Sequence, residues 1–93
     1  MSVSYRMWTA TYTIEGLDRE FTTTAFKVPE YFQVDDAASA AEVAFDTIPQ
    51  VHASVDWDAR FNAGDSNMGI KITKLTERVF CTECISIKDH TSW

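Results

Sequence analysis

Apolar and polar positions alternate from Tyr5 to Ile14, YRMWTATYTI: Trp8, Ala10, Tyr12 and Ile14 fall on one face, and Tyr5, Met7, Thr9, Thr11 and Thr13 on the other. A period of two predicts a half-buried β-strand. Glu15-Gly16-Leu17-Asp18-Arg19 carries the Gly and Asp of a tight reversal, and Phe21 to Val28, FTTTAFKV, runs back rich in Thr and aromatic residues. The two segments form a predicted hairpin. Phe26 and Val28 are assigned to its core side and Phe21, Thr23, Ala25 and Lys27 to the outside, with Pro29 stopping the strand.

From Val34 to Pro49, VDDAASAAEVAFDTIP, the period changes. Ala37, Ala40, Ala41, Ala44, Phe45 and Ile48 share one arc of a helical wheel, opposite Ser39, Glu42 and Asp46, which predicts an amphipathic helix and the only one in the chain. Asp35 or Asp36 supplies the N-cap, where a carboxylate accepts from free N–H groups and favours the positive end of the helix dipole. Pro49 is expected to end the helix near Thr47 or Ile48. Phe45 and Ile48 are its large anchors, and Phe45→Ala in a packed core costs roughly 3–5 kcal/mol. Tyr31 and Phe32, just before it, are expected to close the core.

Val51 to Phe61 alternates again, Val51, Ala53, Val55, Trp57, Ala59 and Phe61 against His52, Ser54, Asp56, Asp58 and Arg60, and is read as a long strand with a polar outer face. Asn62 to Asn67, NAGDSN, is a loop. Met68 to Leu75 is a further strand, Thr76-Glu77-Arg78 a short reversal, and Val79 to Lys88 the last strand, with Glu83 discordant in its pattern and a bulge expected there. The predicted order is β-β-α-β-β-β. This is an α+β class: one domain over residues 1–93, with a mainly antiparallel sheet of about five strands and one helix on one face. The other sheet face, carrying Tyr5, Met7, many threonines and Lys71, is left to solvent or a partner, and an exposed sheet edge can pair two copies into a homodimer.

Composition narrows the function. A chain of 93 residues that is 45% hydrophobic suffices for one modest core. No apolar run is long enough to span a bilayer and the N-terminus lacks the apolar stretch of a signal peptide, so a cytoplasmic location is expected and a membrane partner is not. Two cysteines are too few for a secreted disulfide framework, which agrees with a reducing compartment. A net charge of −6 and a pI near 4.6 argue against direct binding of nucleic acid, which needs clustered Lys and Arg. The same charge is compatible with two things, ordinary solubility, which is the bland reading, and docking on a basic surface whose natural ligand is nucleic acid.

Candidate chemistry is sparse. Cys81-Thr82-Glu83-Cys84 has the spacing of half a zinc site, but a second pair is missing and only His52 and His90 could complete it. In a regular strand the two thiols would point to opposite faces, and redox CxxC pairs work at helix N-termini. The ordinary reading is a buried Cys81 and a half-exposed Cys84; the alternative is a small metal-binding or redox regulatory domain using this pair. Asp56 and Asp58, about 6–7 Å apart along a strand, with Arg60 next in line, form a solvated acidic stripe more readily than an acid-base pair. Their expected use is recognition of a basic partner, joined by loop residues Asp65 and Asn67. No phosphate loop, nucleophile motif or dinucleotide fingerprint is present, so neither an enzyme nor a cofactor is expected. Aromatic and flexible apolar residues such as Tyr5, Met7, Phe21 and Trp93 suit a protein interface.

In size, acidity and the strand-strand-helix opening YRMWTATYTIEGLDREFTTTAFKV…VDDAASAAEVAF, the chain resembles the small single-domain inhibitors encoded by phages and other mobile elements, anti-CRISPR proteins among them. That resemblance implies a stoichiometric inhibitor that occludes a surface of a host nucleoprotein complex without catalysis. It implies no individual site residues.

Overall fold

The alternation from Tyr5 to Ile14 is realised in full. A computed structural model describes residues 5–64, 67–81 and 84–93, and in it this segment is strand β1 (Tyr5–Ile14), with Trp8, Ala10, Tyr12 and Ile14 each no more than 2% exposed. The chain turns at Gly16, whose φ of +90° suits glycine, and returns antiparallel as β2 (Glu20–Thr22). The returning strand is shorter than the pattern predicts. Ala10 N–H donates to the Thr23 side chain at 2.9 Å instead of to a ladder carbonyl, and pairing resumes only as a single bridge between Trp8 and Phe26. Phe26 and Val28 pack on the core as expected. Phe21 corrects its assignment: it lies opposite Tyr12, and its ring rests against Tyr12 and His52.

Helix α1 (Ala37–Val51) starts where the cap was expected, with the Asp36 carboxylate accepting from Ser39 N–H at 2.9 Å. Ala37, Ala40, Ala41, Ala44 and Ile48 are its buried face, while Phe45 is half-buried. Pro49 does not end it. The proline sits in the last turn, where its missing N–H removes one bond to Phe45 while His52 N–H still reaches the Ile48 carbonyl at 3.2 Å. Before the helix, Glu30–Phe32 form a 3₁₀ turn in which Tyr31 is 79% exposed, so it does not close the core; Phe32 is half-buried.

The largest departure is at residues 51–61. No strand forms there; a turn after α1 leads to a short second helix, α2 (Trp57–Asn62), so α1 is not the only helix. Trp57 and Phe61 are four residues apart, a spacing that fits one face of a strand and one side of a helix equally well. Local chemistry decides: the Asp56 carboxylate caps the helix by accepting from Ala59 N–H at 3.1 Å. Trp57 packs on the core and donates its Nε1–H to the His52 carbonyl at 2.9 Å.

Strand β3 (Ile70–Phe80) runs straight through the expected reversal, with Thr76, Glu77 and Arg78 paired to Thr9, Trp8 and Met7 of β1. One β-bulge interrupts this pairing: Thr11 lies opposite Lys74 and Tyr12 opposite Ile72, leaving Thr73 over, with its hydroxyl donating to the Thr11 carbonyl. The slip returns Leu75 to the buried face beside Ile70 and Ile72. The bulge expected at Glu83 falls outside the described residues. After a turn, β4 (Ile85–His90) pairs with β3. The sheet is antiparallel, four-stranded among the described residues and ordered β2-β1-β3-β4, with α1 on one face. The α+β class therefore stands, with four strands in place of five and the order β-β-α-α-β-β.

Candidate partner-binding surfaces

The strand reading aligned Asp56, Asp58 and Arg60 on one face; the structure separates them. Asp56 is occupied as the cap of α2, and Asp58 stands exposed in its first turn. Arg60 turns inward to bind backbone. Its guanidinium donates to the Glu15 carbonyl at 2.7 Å and the Met68 carbonyl at 3.0 Å, lies over the Trp57 ring, and so ties α2 to the β1 end and the β3 start. Asn67 accepts from Ile70 N–H at 2.9 Å, while Asp65 lies outside the described residues.

Cys81 and Cys84 do not point to opposite faces. They are joined in a disulfide across the β3–β4 turn, where Cys81 N–H also donates to the Cys84 carbonyl at 3.0 Å. Cys81 is half-buried and Cys84 exposed, and the pairing removes cysteine usage as an argument for a reducing compartment. Among the described residues no group of three or more His, Cys, Asp or Glu is placed to hold a metal ion, and no helix is long and apolar enough to cross a membrane.

His52 and His90 both have structural partners. The His52 Nε2 shares a 2.7 Å hydrogen bond with the Tyr12 hydroxyl, and burial pushes the Tyr12 phenol above its ordinary pKa. His90 faces Glu77 at 3.3 Å; Glu77 also pairs with Arg6 Nε at 2.6 Å, and Arg6 reaches Asp35, whose carboxylate accepts from Trp8 Nε1–H at 2.7 Å. This chain of charges stands where the inner sheet face emerges from under the start of α1. It anchors the Asp35 segment and keeps the polar edge of Trp8 satisfied.

Two surfaces remain. The first is the helical layer. Between Val28 and Arg60 there is no Lys or Arg, whereas Glu30, Asp35, Asp36, Glu42, Asp46, Asp56 and Asp58 all lie there and all are exposed. The sequence pattern shows these acids singly and hides the layer, because it places residues 51–61 in the sheet. The signal was the 32-residue span from Val28 to Ala59 without a cation. The second surface is the uncovered sheet face, where Tyr5, Phe80 and Ile85 form one cross-strand row and Met7, Arg78 and Ile87 the next. Tyr5 stacks on Phe80 at 4.8 Å and has the Lys27 ammonium 4.9 Å from its ring centroid, and Ile85 and Ile87 are 62% and 61% exposed. No protein-family model, no curated protein and no solved structure matches the chain.

Proposed function

We propose that the chain is a non-enzymatic inhibitor that lays its acidic helical layer on a basic protein surface otherwise occupied by nucleic acid, in the manner of anti-CRISPR proteins. Such a protein would be encoded by a phage or other mobile element and act in the host cytoplasm, needing no cofactor.

The placement of Glu42 and Asp46 carries this reading. They are one turn apart on the outward side of α1, a like-charge pair that costs an isolated helix about 0.2–0.5 kcal/mol. Neither is in the first turn of α1, where a negative charge would stabilise the helix dipole, so the dipole does not account for them. Their positions gain the helix nothing; a cationic partner would explain them. Asp58 extends the same charge onto α2, while Asp56 contributes mainly by fixing that helix in place.

The test adds the protein to a panel of purified CRISPR effector complexes and measures target-DNA binding by each. Stoichiometric loss of DNA binding by at least one complex is expected, with the Glu42→Lys, Asp46→Lys variant losing at least tenfold in potency while melting no lower than the parent. Undiminished DNA binding across the panel, or a fully potent variant, overturns the reading.

A further inference from the structure

The sheet continues past its core. Tyr5–Met7, Arg78–Phe80 and Ile85–Ile87 form a three-stranded arm in which no residue is buried on either face, whereas the same β1 and β3 bury Ala10, Tyr12, Ile14, Ile70, Ile72 and Leu75 farther along. Strand β4 is the outer edge of this arm. Long apolar edges are what soluble proteins ordinarily avoid, by charge, proline or a covering element. Here Ile85 and Ile87 stand on the edge with no proline in the strand.

Backbone geometry fixes which groups the edge offers. Cys81 N–H donates to the Cys84 carbonyl, and Trp8 exchanges both backbone bonds with Phe26 on the side of β1 away from β3, which together set the phase of the alternating bonds along the antiparallel ladder. Ser86, Lys88 and His90 therefore bond back to β3, and Ile85, Ile87 and Asp89 turn their N–H and C=O groups outward. The residues with free edge groups include the two with exposed apolar side chains.

We propose that two copies of this chain associate through antiparallel pairing of their β4 strands about a two-fold axis at Ser86. In this register Ile85 of one copy exchanges hydrogen bonds with Ile87 of the other and Ser86 faces Ser86, so four isoleucines become contiguous on one face. A shift by one pair in the other direction, centring on Ile87, would set each Ile85 against Asp89. The two four-stranded sheets join into one of eight strands, and a C2 contact of this kind closes without leaving an open end. Charge permits it: the acidic layer lies over β1 and β3 on the helical side, while β4 carries one Lys and one Asp. About five residues a side is far less than the roughly 20–30 of a standard interface, so the affinity belongs in the micromolar range.

Sedimentation velocity from low-micromolar to submillimolar concentration tests this. The mass should rise from 10.5 kDa toward twice that value, and Ile87→Lys should weaken association at least tenfold. Register is read by oxidative cross-linking with the native cysteines paired: Ser86→Cys should form a covalent dimer at least tenfold faster than Asp89→Cys, because only residue 86 faces itself across the axis and residue 89 faces no cysteine. A mass of 10.5 kDa throughout, a dimer indifferent to Ile87→Lys in folded protein, or equal cross-linking at the two positions overturns the proposal.

Discussion

The two ends of the sheet are built from the same strands and have different surroundings. At one end β1 and β3 lie under α1, and every inward residue from Trp8 to Ile14 is sealed. At the other end, from Tyr5 to Met7 and Arg78 to Phe80, the alternation and pairing continue without interruption and nothing is buried. Regular pairing is therefore not what makes one end a core. The difference is α1, whose alanines allow close approach and whose 15 residues reach only part of the strand length. At about 1.5 Å per residue such a helix spans roughly 22 Å, against roughly 33 Å for the ten residues of β1.

The largest test of that contrast is a pair of isoleucine truncations. Ile48, fully buried under the helix, should cost about 2–5 kcal/mol when changed to Ala. Ile87→Ala, at 61% exposure on the arm, should change the monomer's stability by no more than about 0.5 kcal/mol. Urea titrations at a concentration where the chain is monomeric compare the two directly. Equal losses would mean that the arm is held as tightly as the core. Phe45→Ala should fall below the range expected for a core phenylalanine, since Phe45 is only half-buried.

What the sequence disclosed divides along similar lines. The strand at Tyr5–Ile14, the buried face of α1 and its Asp36 cap were legible because each is specified by local period and local chemistry. Trp57 and Phe61 were misread because a four-residue spacing satisfies both periods; the discriminating signal was Asp56 three residues before Ala59, a capping pattern rather than a hydrophobic one. The reversal placed at Thr76–Arg78 belonged at the turn after Cys81, and the slip from Ile72 to Leu75 was the mark of the bulge that lets β3 run on. Of the candidate contacts, Arg60 has the most altered role, since only the fold brings Glu15 and Met68 to its guanidinium. Whether a regular face is covered or open depends on the length and position of another element, so the arm was not readable from its own residues.

A smaller effect is expected at the covered end, which Arg60 locks beyond α1. Gly69 has φ of +80°, and a Cβ there would collide with Arg60 Nη1 and press on Glu15 Cβ at 3.0 Å. Gly69→Ala should lose the roughly 1–2 kcal/mol of the left-handed conformation together with a collision cost. In an Arg60→Ala background the collision with the guanidinium disappears, so Gly69→Ala should cost less than it does in the parent. A thermodynamic cycle measured by denaturant unfolding gives the coupling; additive losses would show that Arg60 does not hold this corner.

The smallest expected effect is set by pH, and it too belongs to the covered end. Tyr12 is buried beneath the turn that follows α1, with its hydroxyl on His52, and desolvation of the phenolate raises its pKa above 10.0. The folded state therefore holds the phenol proton more tightly than the unfolded chain does. Stability from this group is complete below the unfolded value and is lost as pH rises from there through the higher folded value. Tyr12→Phe should be less stable at neutral pH by about 0.5–1.5 kcal/mol for the lost hydrogen bond. It should also lose part of the decline above pH 10, so that the gap between variant and parent narrows on the alkaline side. Thermal melts across that window measure the gap. A constant gap would place Tyr12 ionisation outside the folding equilibrium and would mean that water reaches the phenol despite its burial, weakening the contrast between a sealed end and an open one.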